Sequence, residues 1–246
     1  MTKQGNVALI TGASRGIGRA IAERLGRDGA SVVVNYYPSD RAGADEVVQA
    51  IERSGGAAVA AAADVADASQ MRGLFDVAEQ RFGALDIVVS NAAATQHMHI
   101  VDTSDDDFDA MFATNARAGF VVLRESALRV RDGGRVVVVS AGLTLMPRPG
   151  TGVYGASKAA VDHLVRVLAH EVGSRGITVN SVLPGAVRTH ALTSAVPPEA
   201  IAAEVALTPL GRVGEPEDIA DIVAFLVSDE GRWVTGQCIG AGGGMF

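Results

Sequence analysis

The 246-residue chain contains one cysteine, Cys238. A lone thiol excludes an internal disulfide framework and a cysteine-based zinc site within one chain, and it fits a reducing compartment. The plainest role for Cys238 is that of a small buried apolar residue. Runs of basic residues are also missing. With 21 Lys and Arg against 28 Asp and Glu, the formal charge is −7, and nothing is clustered to neutralise nucleic-acid phosphates. The acidic balance reads as solubility. No apolar stretch is both long enough and free enough of charge to span a bilayer. The opening MTKQGNVALITG runs straight into a short apolar strand, without the extended apolar core and cleavage site of a secretory leader. Repeats, low-complexity segments and an interdomain linker are absent as well. The expectation is a cytoplasmic protein of one domain, residues 1–246, that binds neither nucleic acid nor membrane.

What is present is a regular alternation. Short Val/Ile/Leu/Ala runs predict strands over Val7–Ile10, Ser31–Asn35, Ala57–Ala61, Asp86–Ser90, Arg135–Ser140, Thr178–Leu183 and Gln237–Ala241. Amphipathic stretches between them predict helices over Gly16–Gly29, Asp40–Ser54, Ser69–Phe82, Asp105–Arg131, Val153–Arg175 and Glu215–Ser228. Nearly continuous apolar strands separated by helices imply an α/β chain: a single-domain, Rossmann-type doubly wound parallel sheet of about seven strands with helices on both faces. One stretch breaks the rhythm. Residues 190–210, with Pro197, Pro198 and Pro209, are long for a connection and follow a strand's carboxyl end, so they are expected to form a substrate lid.

The segment TGASRGIG, Thr11–Gly18, joins the first strand to the first helix. Its glycines, Gly12, Gly16 and Gly18, permit a tight turn and a close backbone approach to a pyrophosphate, with the helix N-terminus facing the anion. Ser14, Arg15 and Ile17 complete the expected cofactor contact. The spacing G-x-x-x-G-x-G differs from the commoner dinucleotide fingerprint, so the strand-then-helix context carries the signal. The second strand ends in Asn35 and Tyr36, with no carboxylate to hold an unphosphorylated ribose. Arg15, and Arg41 if its helix is suitably turned, would favour a 2′-phosphate. The expected cofactor is therefore NADP(H).

Tyr154 and Lys158 stand at i and i+4 on a predicted helix and share a face. A nearby ammonium favours phenolate, which brings a tyrosine closer to acid–base work near neutral pH. The whole chain resembles the short-chain dehydrogenase/reductases, and within them 3-oxoacyl-carrier-protein reductases and related ketoreductases. The likeness rests on TGASRGIG, on Asp64-Val65, on Ser90–Ala93 with Asn91 and Ala92, on Asn115, on YGASK, on Pro184-Gly185 with Val187 and Thr189, and on the tail TGQCIGAGGGM. The resemblance implies that Asn115, Tyr154 and Lys158 are catalytic, with Asn115 holding a relay water and Lys158 also binding ribose. It implies that the other segments up to Thr189 seat the cofactor and that the protein is a homotetramer built through the long helices Asp105–Arg131 and Val153–Arg175 and the C-terminal tail.

The departures from the family pattern are specific. The family's carbonyl-orienting serine stands thirteen residues before the tyrosine, where this chain has Ala141. Ser140 is next to it, but consecutive residues of a strand face opposite ways. A local bulge could re-aim Ser140, and Thr144 is a second hydroxyl nearby. Losing one such donor costs about 10²–10³ in rate. Ala93 and Ala118 also replace usual glycines. His97 and His99 follow SNAA; with no accompanying carboxylate or cysteine cluster they read as loop histidines rather than metal ligands, though one could hydrogen-bond substrate. Arg148 is either a surface charge or a contact for an acidic substrate group. Leu143, Leu145 and Met146 are pocket wall or core, and Asp105–Asp107 complement a helix dipole.

The expected activity is NADPH-dependent reduction of a small-molecule carbonyl compound, free or carrier-bound, with Tyr154 as proton donor. The alternatives are a redox-silent isomerase, cyclase or dehydratase on the same fold, and a non-enzymatic NADPH-binding module.

Overall fold

Five of the strands are mostly apolar and nearly or fully buried: β1 (Val7–Ile10), β2 (Ser31–Tyr36), β4 (Ile87–Ser90), β5 (Arg135–Val139) and β6 (Thr178–Pro184). The edge strands β3 (Ala57–Ala62) and β7 (Cys238–Ala241) are less covered. Strands that must hide both faces are expected to be of this kind. In this computed structural model, which describes residues 5–246 and every side chain there except those of Ala191 and Ala195, the strands pair in parallel in the order β3-β2-β1-β4-β5-β6-β7. Residues Met1–Gln4 of the opening segment lie outside the described residues.

Helices cover both faces. On one side α1 (Gly16–Arg27), α2 (Arg41–Arg53) and α9 (Pro216–Val227) bury Ile21, Leu25, Val47, Ile51 and Val223 against the sheet. On the other, α3 (Ala68–Phe82), α5 (Ala118–Arg129) and α6 (Gly152–Val172) bury Leu74, Phe75, Val121, Val161 and Val165. Among the described residues, no helix is long and apolar enough to cross a membrane.

One expectation about the helices is corrected. The predicted helix Asp105–Arg131 is α4 (Asp105–Phe112) and α5, joined by a π-helical turn over Ala113–Arg117. Such a turn inserts an extra residue into a helix and is common at functional sites; Asn115 lies in it. The expected lid contains two helices, α7 (His190–Ala195) and α8 (Pro198–Leu207). Strand and helix ends otherwise move by one to three residues, as when β5 ends at Val139 rather than Ser140.

The order of strands reverses between β1 and β4, and loops leaving their carboxyl ends part to form a crevice. The Gly12–Gly18 turn and the Asn91–Ala94 segment line it. A Cβ at Gly12 would stand 2.9 Å from Ala92 Cα, so the two loops meet only because that position is glycine.

Candidate active site

The glycine turn is fixed from below and from the side. Asn35, almost fully buried, accepts the Gly12 N–H at 3.0 Å and donates through Nδ2 to the carbonyls of Tyr36, Ala61 and Ala63 at 3.2–3.3 Å. Asn91 Nδ2 donates to the Thr11 and Gly12 carbonyls at 3.0 Å, and the Asn91 and Ala92 N–H groups donate to Thr11 Oγ1. A Cβ at Gly18 would overlap the Gly12 carbonyl. Gly12 and Gly16 have φ of +62° and +55°, values that glycine adopts without strain.

These bonds leave the N-terminus of α1 open. Arg15 is its cap residue and makes no side-chain cap, and the first turn has no acidic residue. The first-turn N–H groups of any helix lack intrahelical acceptors, so this end, including Ile17 and Gly18, fits an anionic group. Thr189, the side-chain cap of α7, reaches the same turn: a Cβ at Gly16 would stand 3.2 Å from its methyl.

Around this turn lie the other predicted contacts. The Asn35 side chain is committed to the fold, and its Nδ2 points at protein carbonyls. Tyr36 is buried. Arg41 is held by Asp45, at 2.8 and 2.9 Å. Ser14 Oγ donates to Asp40 Oδ2 at 2.7 Å, and the exposed Arg15 lies 3.9 Å from the same oxygen. Asp64 Oδ1 accepts the Ala66 N–H beyond β3, and Val65 is buried. Pro184 ends β6, the Gly185 N–H donates to the Ala241 carbonyl at 3.2 Å, and Val187 bridges to Gly214.

Across the crevice, α6 turns one face into the protein and buries Tyr154, Ser157, Lys158 and Asp162 on it. Lys158 Nζ donates to the Val139 carbonyl at the end of β5, at 2.9 Å. Burial pulls its ammonium down to about 8, against the attraction of Asp162. Asn115 Oδ1 accepts the Ala94 N–H and its Nδ2 donates to the Ala94 carbonyl, both at 2.9 Å; Nδ2 also donates to Ser157 Oγ at 3.0 Å. Ser157 Oγ in turn donates to the Tyr154 carbonyl at 2.8 Å. The π-helical turn, the loop after β4 and α6 are thus locked together around Tyr154.

Burial raises the Tyr154 phenol above its ordinary value, and a hydrogen bond from Thr95 lowers it. The sequence assigns that lowering to Lys158; in this structure the group opposing burial is Thr95. Ala141 packs with Tyr154 and Met111 in one buried cluster, with Ala94 and Leu143 against it. Neither neighbouring hydroxyl turns toward them. Ser140 Oγ donates to Asp162 Oδ2 at 3.0 Å, behind the strand end, and Thr144 Oγ1 donates to the Ala141 carbonyl at 3.0 Å. His97 reaches Tyr154 as a ring neighbour, 6.3 Å between centroids. Arg148 pairs with Glu204, tying the loop before α6 to α8. The chain's last residue, Phe246, lies over Gly142, where a Cβ would overlap its ring.

A family profile described as enoyl-(acyl carrier protein) reductase matches residues 12–246. A short-chain dehydrogenase from Burkholderia cenocepacia, solved in complex with NADP, superimposes with a TM-score of 0.93 at 38% identity, covering 100% of this chain and 99% of that one. The chain is a short-chain dehydrogenase/reductase. Among other members of the family, it is 43% identical to a versicolorin reductase of Emericella nidulans, over 98% of this chain and 96% of that protein. It is 40% identical to the angucycline C-6 ketoreductase LanV, solved with bound NADP, with a TM-score of 0.93 and coverage of 98% and 96%.

Sequence reasoning missed Thr95, Ser157 and Asp162. Ser157 and Asp162 were visible as polar residues on the Tyr154–Lys158 face, one and two turns along. Thr95 carried no signal except its position just past SNAA.

Proposed function

We propose that this short-chain dehydrogenase/reductase is an NADPH-dependent ketoreductase acting on ketones of hydroxylated polycyclic aromatic compounds. The observation that carries the chemistry is the burial of Tyr154 and Lys158 on one face of α6, held by Asn115 and Ser157 at the mouth of the glycine-turn crevice. The substrate class follows the versicolorin and angucycline reductases among its relatives.

Bound NADPH supplies the hydride. The first turn of α1, with Gly16, Ile17 and Gly18, would receive the pyrophosphate, and Ser14 and Arg15, which here contact Asp40, would hold the 2′-phosphate. Asn91, Ala92, Asp64 and Val65 border the adenosine side, and Pro184, Gly185, Val187 and Thr189 the nicotinamide side. Lys158 binds ribose and, as an ammonium, favours the phenolate left when Tyr154 gives its proton to the carbonyl oxygen. Asn115 holds the water that returns a proton toward Lys158. The segment 190–210 closes over substrate, tethered by the Arg148–Glu204 pair. The protein works as a homotetramer.

The test is NADPH oxidation over a panel of hydroxylated tetralones, anthrones and β-keto thioesters. Consumption of NADPH matched by alcohol formation is expected. Tyr154→Phe should abolish turnover and leave NADPH binding, followed by nicotinamide fluorescence, unchanged; full activity in that variant would remove Tyr154 from the chemistry. Product formed without NADPH consumption would assign the fold to isomerisation or dehydration.

A further inference from the structure

Asp162 is a buried carboxylate that the proposed chemistry leaves unused. It stands one helical turn beyond Lys158 on the inner face of α6, so the two side chains are neighbours. Both reach the same strand end. Lys158 Nζ donates to the Val139 carbonyl at 2.9 Å, and the next residue, Ser140, donates through Oγ to Asp162 Oδ2 at 3.0 Å. Val139 and Ser140 are thus gripped by two residues of one turn, and the circuit Lys158–Val139–Ser140–Asp162 closes on itself. Asp162 Oδ1 has no hydrogen-bond partner among the described residues. A buried ammonium that meets a carbonyl oxygen needs an anion nearby, and a buried carboxylate bonded through one oxygen needs a cation.

The other groups around this turn do not supply them. Arg166, a further turn along α6, is exposed, and water screens its charge. Glu125 of α5 pairs with Arg124. Burial holds the Tyr154 phenol above its ordinary value, and it does the same to the thiol of Cys238, which pairs in register with Ser181 of β6. Asn115, Ser140 and Ser181 are neutral. Burial draws the Lys158 ammonium down to about 8, and Asp162 opposes that pull.

We propose that Asp162 is a positioning residue whose carboxylate, bolted to the end of β5 by Ser140, is the counter-charge that keeps Lys158 an ammonium at the Val139 carbonyl. The charge on Lys158 favours the phenolate that Tyr154 becomes on giving up its proton, so Asp162 acts on the reaction through Lys158. The assignment rests on the ketoreductase reading above.

The chain has two lysines, Lys3 and Lys158. Protein made with lysine carrying carbon-13 at Cε therefore gives two resonances, and Lys158→Met assigns them. The test follows the Lys158 resonance, and kcat and KM for ketone reduction, against pH in wild type, Asp162→Asn, Asp162→Ala and Arg166→Gln. Asp162→Asn keeps an oxygen for Ser140 and loses the charge. Its Lys158 midpoint should fall by about one pH unit, the lower end of what an opposite charge at this range supplies, and Asp162→Ala should fall as far. From a midpoint near 8, kcat should then drop about five-fold at pH 8 and little at pH 6, with KM unchanged. Arg166→Gln should follow wild type. A Lys158 midpoint that stays in place in both Asp162 variants overturns the proposal. So does a loss of kcat that is equal at both pH values, the mark of a purely structural residue. If wild type reduces no ketone, the ketoreductase reading fails, while the resonance still decides whether Asp162 keeps Lys158 charged.

Discussion

Asn35 shows how much one side chain can settle. It joins β1, β2 and β3 beneath the glycine turn, giving its oxygen to Gly12 and its amide hydrogens to three carbonyls. An acid near the end of the second strand is the common way to bind an unphosphorylated ribose, so Asn35→Asp looks like a simple change of cofactor preference. At this position it would set a buried carboxylate against three carbonyl oxygens and remove their donor. Unsatisfied buried groups of this kind cost about 1–3 kcal/mol each, more when charged. The expected outcome is a lower urea midpoint and weaker binding of both NADPH and NADH. A variant as stable as wild type with tighter NADH binding would show that the side chain turns out to the ribose. The sequence placed Asn35 correctly at the strand end but not its direction, because that depends on pairing with β3, 26 residues away. Ser140 was half legible for the same reason. Strand alternation aimed it away from Tyr154, yet its partner Asp162 lies 22 residues on and had no local signal.

At the scale of elements, α6 carries most of the chemistry, and its burial has a measurable consequence. Lys158 is drawn from an ordinary value of 10.5 down to about 8, chiefly by desolvation. Between those values the unfolded chain holds a proton that the folded protein has released. Stability therefore rises with pH across that window, by at most about 1.4 kcal/mol per pH unit from this group. Below pH 8 both states are protonated and the cost of the buried charge is constant. Lys158→Met lacks the titration, so subtracting it removes the opposing contributions of Tyr154 and Cys238, which burial raises. Wild type should gain on Lys158→Met in urea unfolding free energy from pH 8 to 10, and a difference that stays flat would mean that Lys158 titrates normally. The existence and order of such elements were readable from apolar periodicity. The break between α4 and α5 was not, since one inserted residue hardly disturbs the apolar pattern, while Asn115 owes its direction to that turn.

For the whole molecule, the sheet explains the crevice but leaves one flank uncovered. On the outer faces of α5 and α6, Phe120, Leu128 and Val167 are 45%, 71% and 41% exposed. Beside them α6 presents Gly152, Ala156, Ala159 and Ala160, also exposed. The Arg124 guanidinium stands 5.4 Å from the centroid of the Phe120 ring. Large apolar side chains next to small ones form a surface onto which a second helix pair can pack closely. Each Å² of apolar area removed from water there contributes roughly 25 cal/mol, and two-fold symmetry makes the patch its own partner. Of these helices α6 holds Tyr154 and Lys158 on its inner face, so association through this flank would stiffen the site from behind. Sedimentation velocity should show a tetramer for wild type. Phe120→Glu and Val167→Glu, which set a charge in the middle of the patch, should give smaller species with a lower Tm and reduced kcat. A wild-type monomer, or variants that assemble unchanged, would place the contact elsewhere on the molecule.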